Sequence, residues 1–137
     1  MRDELASKML RVTSALWWGR QIVRGGEAIG PGFTLQRLSS NVRGSLEAEK
    51  HATHARIHNG FVWGTAIAAL GLLGGAIAAQ VALKSDGGIL NNDTARGPYI
   101  GAVCGVLFES GFVTWQEQEI AKAESAYNYD LVRGTLR

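Results

Sequence analysis

The sequence predicts an all-α membrane protein: a helical hairpin of two transmembrane helices, led by an N-terminal amphipathic helix and carrying extended helical ends on the cytoplasmic side. Three observations carry this. Residues 61–83 and 99–115 are long apolar stretches separated by a short polar loop, 84–98. A run of about 20 apolar residues suits a bilayer better than a water-facing domain. The mean hydropathy of zero is an average over a polar, basic first part, residues 1–60, and an apolar second part. Many of the 18 glycines lie inside the apolar runs, where membrane helices use them for close backbone approach.

Residues 3–24 fit an amphipathic helix. Leu5, Met9, Val12, Leu16 and Val23 fall on one stripe, flanked by Arg2, Lys8, Arg11, Arg20 and Arg24, with Trp17 and Trp18 near the middle. Basic residues beside tryptophans suit a helix lying among lipid headgroups, and packing on a protein partner fits equally well. Gly25-Gly26 and Gly30-Pro31-Gly32 end it, giving a first segment of 1–32. A polar helix is expected over 33–60, continuous with the first span, with Gly44 and Gly60 its weakest points. Leu35, Leu38, Val42, Leu46 and Ile57 form its apolar stripe.

The hairpin occupies 61–115. Its first span is about 35 Å of helix, enough for a core of roughly 30 Å, and its second is a marginal 25 Å or so. A polar helix then fills 116–137, with Ile120, Ala123, Tyr127 and Leu131 on one stripe. No cleavable leader is expected, because Asp3 and Glu4 open the chain and no apolar core follows them.

Charge asymmetry orients the hairpin. Residues 1–60 hold nine of the 14 Lys and Arg, against two in the loop and three in the tail. Both termini are therefore expected on the cytoplasmic or matrix side, in a bacterial cytoplasmic membrane or a mitochondrial inner membrane. Trp63 and Trp115 would then meet at the inner interface.

Small residues mark the packing faces. Gly64, Ala68, Gly71, Gly75, Ala78 and Ala82 recur at steps of three and four on the first span, and Gly97, Gly101 and Gly105 form a glycine zipper on the second. Such faces admit a second helix, from this chain or another. Glu109 continues the zipper. An acid at mid-membrane costs about 2.5–3.5 kcal/mol on insertion scales, so it is either an ion-path residue or an acid close enough to the interface to be hydrated or paired.

All three histidines fall within eight residues. Glu47, His51, His54 and His58 lie within a narrow arc of one helix and are possible metal or cofactor ligands. No known zinc signature matches the spacing. The competing expectation is a polar face ion-paired with the acidic C-terminal helix, with His54 level with Glu124 and His51 with Tyr127.

A net charge of +2 and no basic run longer than two residues give no basis for nucleic-acid binding. The single cysteine, Cys104, excludes a disulfide framework. Neither a nucleophile–base arrangement nor a phosphate-binding loop is present, so no enzyme activity is expected. The expected role is a non-catalytic accessory or assembly subunit of a membrane complex, with lipid and either other subunits or its own copies as partners. Two alternatives stand beside it: an oligomeric, holin-like pore or proton path using Glu109, and a haem, chlorophyll or metal subunit using the histidines. In the favoured reading no cofactor is required.

Overall fold

The computed structural model describes residues 2–15, 19–31, 35–83 and 87–136. Helix dominates, with a small sheet near the N-terminus. The order is α1 (Arg2–Lys8), β1 (Leu10–Ala15), β2 (Gly19–Arg24), β3 (Glu27–Pro31), α2 (Gln36–Asn41), α3 (Leu46–Ala82), a short 3-10 turn (Ile89–Asn91) and α4 (Asp93–Arg133). The chain divides into two compact units: residues 1–59 with 115–137, and residues 60–114.

The N-terminal amphipathic helix is corrected. Only α1 is helical there, and an antiparallel sheet of order β1-β2-β3 follows. The helical spacing of Leu5, Met9 and Val12 loses to a period of two over Leu10, Val12 and Ile22, among β-branched residues that suit a pleated surface. Gly25 and Gly26, with φ of 60° and 89°, form the two-residue turn between β2 and β3, for which positive φ at both positions is required. A Cβ on Gly25 would collide with the Ser7 carbonyl oxygen, so only glycine fits. Trp17 and Trp18, the expected headgroup anchors, lie outside the described residues.

The single polar helix expected over 33–60 is two helices. Gly44, with φ of 96°, breaks it. Ser45 then starts α3: its hydroxyl accepts the Ala48 N–H at 3.3 Å and donates to the Asp130 carboxylate at 2.6 Å, while Glu49 reaches back to the Gly44 N–H at 2.9 Å. The break resets the helical phase. Leu35, Leu38 and Val42 remain buried, but Leu46 and Ile57 turn outward and Ala48, Ala52 and Ala55 face inward instead. These alanines pack with Leu10, Ile22, Ile120, Ala123 and Tyr127 into the core of the first unit. Each large apolar side chain buried there contributes roughly 1.5–3 kcal/mol relative to exposure.

The free edge of β1 is closed by α4. The Asn128 carboxamide accepts the Leu10 N–H at 2.9 Å and donates to the Leu10 carbonyl at 2.8 Å. Glu124 accepts the Val12 N–H at 2.9 Å. Two helix side chains thus do the work of a fourth strand. α4 ends in a Schellman motif, in which the Thr135 N–H reaches the Asp130 carbonyl and the Gly134 N–H that of Leu131.

In the second unit the helices run antiparallel. Phe61 stacks on Phe112 at 5.2 Å between ring centroids, Gly105 lies against Ala69, and Gly101 against Leu72. Asn92 caps α4 by accepting the Thr94 N–H at 3.0 Å, and its own carboxamide donates to Gln80 at 3.1 Å. The expected loop is shorter than 84–98, because α4 begins at Asp93 and contains Pro98. By length and composition α3 is the one described helix apolar enough to cross a membrane. The expected second span, 99–115, lies wholly inside α4, which does not reach that standard with only 17 apolar-rich residues and Glu109 among them.

Replacing Asn128 with Ala strands both backbone groups of Leu10. The expected cost is about 1–3 kcal/mol in unfolding free energy, with faster hydrogen exchange at the Leu10 amide than in the parent. Equal stability and equal exchange would show that the edge is satisfied another way.

Candidate functional site

The polar cluster that the fold assembles lies in the first unit, between α3 and α4. Alanines at 48, 52 and 55 on α3 and at 123 on α4 are all fully buried, so nothing bulky holds these helix faces apart. His51 and His54, one turn apart on α3, then reach Glu119 of α4. His51 Nδ1 lies 2.7 Å from Glu119 Oε2, and His54 Nδ1 lies 3.4 Å from the same oxygen. Lys122 donates to the other oxygen, Oε1, at 2.8 Å. Glu47 Oε2 stands 3.9 Å from Nε2 of His51, on the far side of the ring. The two imidazoles meet edge to face, 6.4 Å between centroids.

Glu119 is nearly buried, its side chain 13% exposed, whereas His54 is about half exposed. Burial by itself pushes the Glu119 carboxyl up. Hydrogen bonds from Lys122 and His51, together with the charges on both, outweigh it and lower the group from 4.5 to about 2.

His58 stands apart from this cluster. Its ring packs 6.0 Å from Trp115, and its Nδ1 is buried with no hydrogen-bond partner. Of the four-residue set of Glu47, His51, His54 and His58, two histidines converge, Glu47 stands beside one of them, and the residue that joins them is Glu119. The expected levels of His54 with Glu124 and His51 with Tyr127 are about one turn out. Gln116 pairs with Asn59 at 2.8 Å, and this register brings Glu119 to the histidines and leaves Glu124 for β1. Glu119 was hidden among four other acids after residue 108. Its one local mark is Lys122, three residues on.

The packing residues divide as well. Gly101 and Gly105 lie on the contact face of α4, where Cβ atoms would stand 3.1 Å from Leu72 and 3.0 Å from Ala69. Glu109, on the same face, is half-buried. On α3 the contact face is Thr65, Ala69, Leu72 and Ala76, not the expected stripe. Gly64, Gly71 and Gly75, and Gly97 on α4, face open space, and Ala68 and Ala78 are exposed. The two stripes differ by one residue, a rotation of about 100°. Trp63 and Trp115 are each about half exposed.

The depressed Glu119 carboxyl ties stability to acidity. Its folded value lies below its unfolded one, so its contribution is fully present above about 4.5 and is lost as the pH falls towards 2. Unfolding of the purified chain followed across that window should show the parent losing more stability than Glu119→Gln. Parallel losses in the two would show that Glu119 is not held by its partners.

Comparison with family models, with curated proteins and with solved structures finds no match to this chain, so the reading of its function rests on the geometry above.

Proposed function

We propose that this chain is an integral membrane protein whose residues 60–114 cross the bilayer as a two-helix hairpin, spans 61–83 and 99–115, and that it serves as a non-catalytic accessory or assembly subunit of a larger membrane complex. One observation carries the membrane assignment. The most apolar 18-residue window of α3 is only 11% buried within the chain. Ile67, Leu70, Val81, Leu107 and Phe108 are each at least 67% exposed. The core helix of a water-soluble domain hides such side chains. In water, every exposed Å² of apolar surface costs about 25 cal/mol, whereas hydrocarbon removes that cost. Across residues 60–82 and 93–114 the backbone of that unit is helical and satisfies itself, as a lipid environment demands. The charge asymmetry of the sequence puts both termini on the cytoplasmic or matrix side.

The subunit role rests on the face that α3 leaves open. Gly64, Gly71 and Gly75 lie at helical spacing with room beside each, and small residues at such spacing are what membrane helices use to approach one another. The partner is another helix, from a different subunit or a second copy.

Two substitutions separate internal from external packing. Gly105→Leu forces α3 and α4 apart at Ala69 and should lower the melting temperature of the isolated chain. Gly71→Leu should leave that melting temperature unchanged but release the chain from its native assembly, read as a drop in native mass after mild solubilisation. An unchanged mass would count against the open face as the partner surface. A chain that leaves the membrane fraction in alkaline carbonate would overturn the membrane assignment itself.

A further inference from the structure

We propose that His51, His54 and Glu119 form a binding site for a single divalent transition-metal ion of the zinc class. The set is two imidazole nitrogens and one carboxylate oxygen, borderline donors that suit Zn²⁺ and its neighbours rather than Ca²⁺ or Mg²⁺. One ligand atom from each residue lies within 4.8 Å of the other two. Around a tetrahedral zinc with bonds near 2.0–2.1 Å, donor atoms sit roughly 3.3 Å apart. The separation of His54 Nδ1 from Glu119 Oε2 is 3.4 Å, already at that spacing. That of His51 Nδ1 from the same oxygen is 2.7 Å and has to open by about half an ångström, which a side-chain rotation supplies.

The surroundings favour an ion over a simple pair. Lys122 occupies Oε1 of Glu119, which turns Oε2 to both imidazoles. Glu47 stands beyond His51 Nε2 at 3.9 Å. An ion would take Nδ1 in place of the proton now shared with Glu119, leaving the ring proton on Nε2 on the side of Glu47, and a carboxylate on that side commonly orients metal-bound histidines. The ligands come from two helices, so an ion would pin α3 to α4 within the first unit. With His54 half exposed, the fourth position is open to water. Lys122 pairs with Glu119, and Lys50 stands 3.9 Å from Glu47, so two ammonium groups balance the two carboxylates and the hold on an ion comes from the ligand atoms themselves.

The test uses the full untagged chain in detergent, stripped with a chelator and titrated with Co²⁺ as a spectroscopic probe for zinc. One Co²⁺ per chain should bind with the strong visible absorption of a four-coordinate site. Zn²⁺ should displace it, and Mg²⁺ should not. His54→Ala and Glu119→Gln should each weaken Co²⁺ binding by about 10-fold or more, whereas His58→Ala should leave it unchanged. If Glu119→Gln loses helical circular dichroism, the half-exposed His54 decides the matter. Absence of binding by the parent overturns the site. So does equal binding by His54→Ala, or a loss in His58→Ala as large as that in His54→Ala.

Discussion

Close contact between α3 and α4 in the first unit rests on alanine. Ala48, Ala52 and Ala55 present nothing larger than a methyl group to Ala123 and its neighbours. Larger side chains would widen the gap and carry the His51 ring away from Glu119. They would also disturb the register that puts Gln116 on Asn59, Ser45 on Asp130 and Asn128 on the edge of β1. The polar contacts therefore depend on an apolar constraint: small residues set the spacing, and hydrogen bonds then fix the alignment.

The polar contacts in turn form a series along the two helices. Asp130 joins the start of α3, through Ser45, to the end of α4, through Thr135. Arg24 joins the sheet to both α2 and α4, donating to the Asn41 carbonyl and lying over the Tyr127 ring at 5.6 Å. Glu119 gathers two histidines and a lysine. Ser45 is buried and Arg24 and Glu119 are largely shielded from water, where a lost partner costs more than it does at exposed groups such as Lys122 and Thr135.

What the sequence disclosed depended on how far each signal reached. The apolar runs are long and self-evident, and the units divide close to their ends, at 59/60 and 114/115. Short-range signals that compete were harder. Leu5, Met9 and Val12 satisfy a helical period, while Gly25-Gly26 between two β-branched runs marks a hairpin turn, and the turn prevailed because only glycine tolerates both its dihedral angles and the closeness of Ser7. Facing and register were least legible. The Gly64–Ala78 stripe and the Thr65–Ala76 stripe are both rich in small residues, and one step along the helix separates them. The pairing of His51 with Glu119 is set by contacts across 68 positions, of which neither local sequence bears a trace.

The closure of β1 by Asn128 and Glu124 joins residues 118 and 112 positions apart. A ribosome delivers the strands first and their closing side chains nearly last, after the whole of residues 60–114. Throughout that interval the newly made sheet has an edge of unpaired amides and carbonyls. Closure of that edge therefore waits until α4 has been made. A stop codon anywhere before residue 124 would release a chain whose first unit has no means of closing.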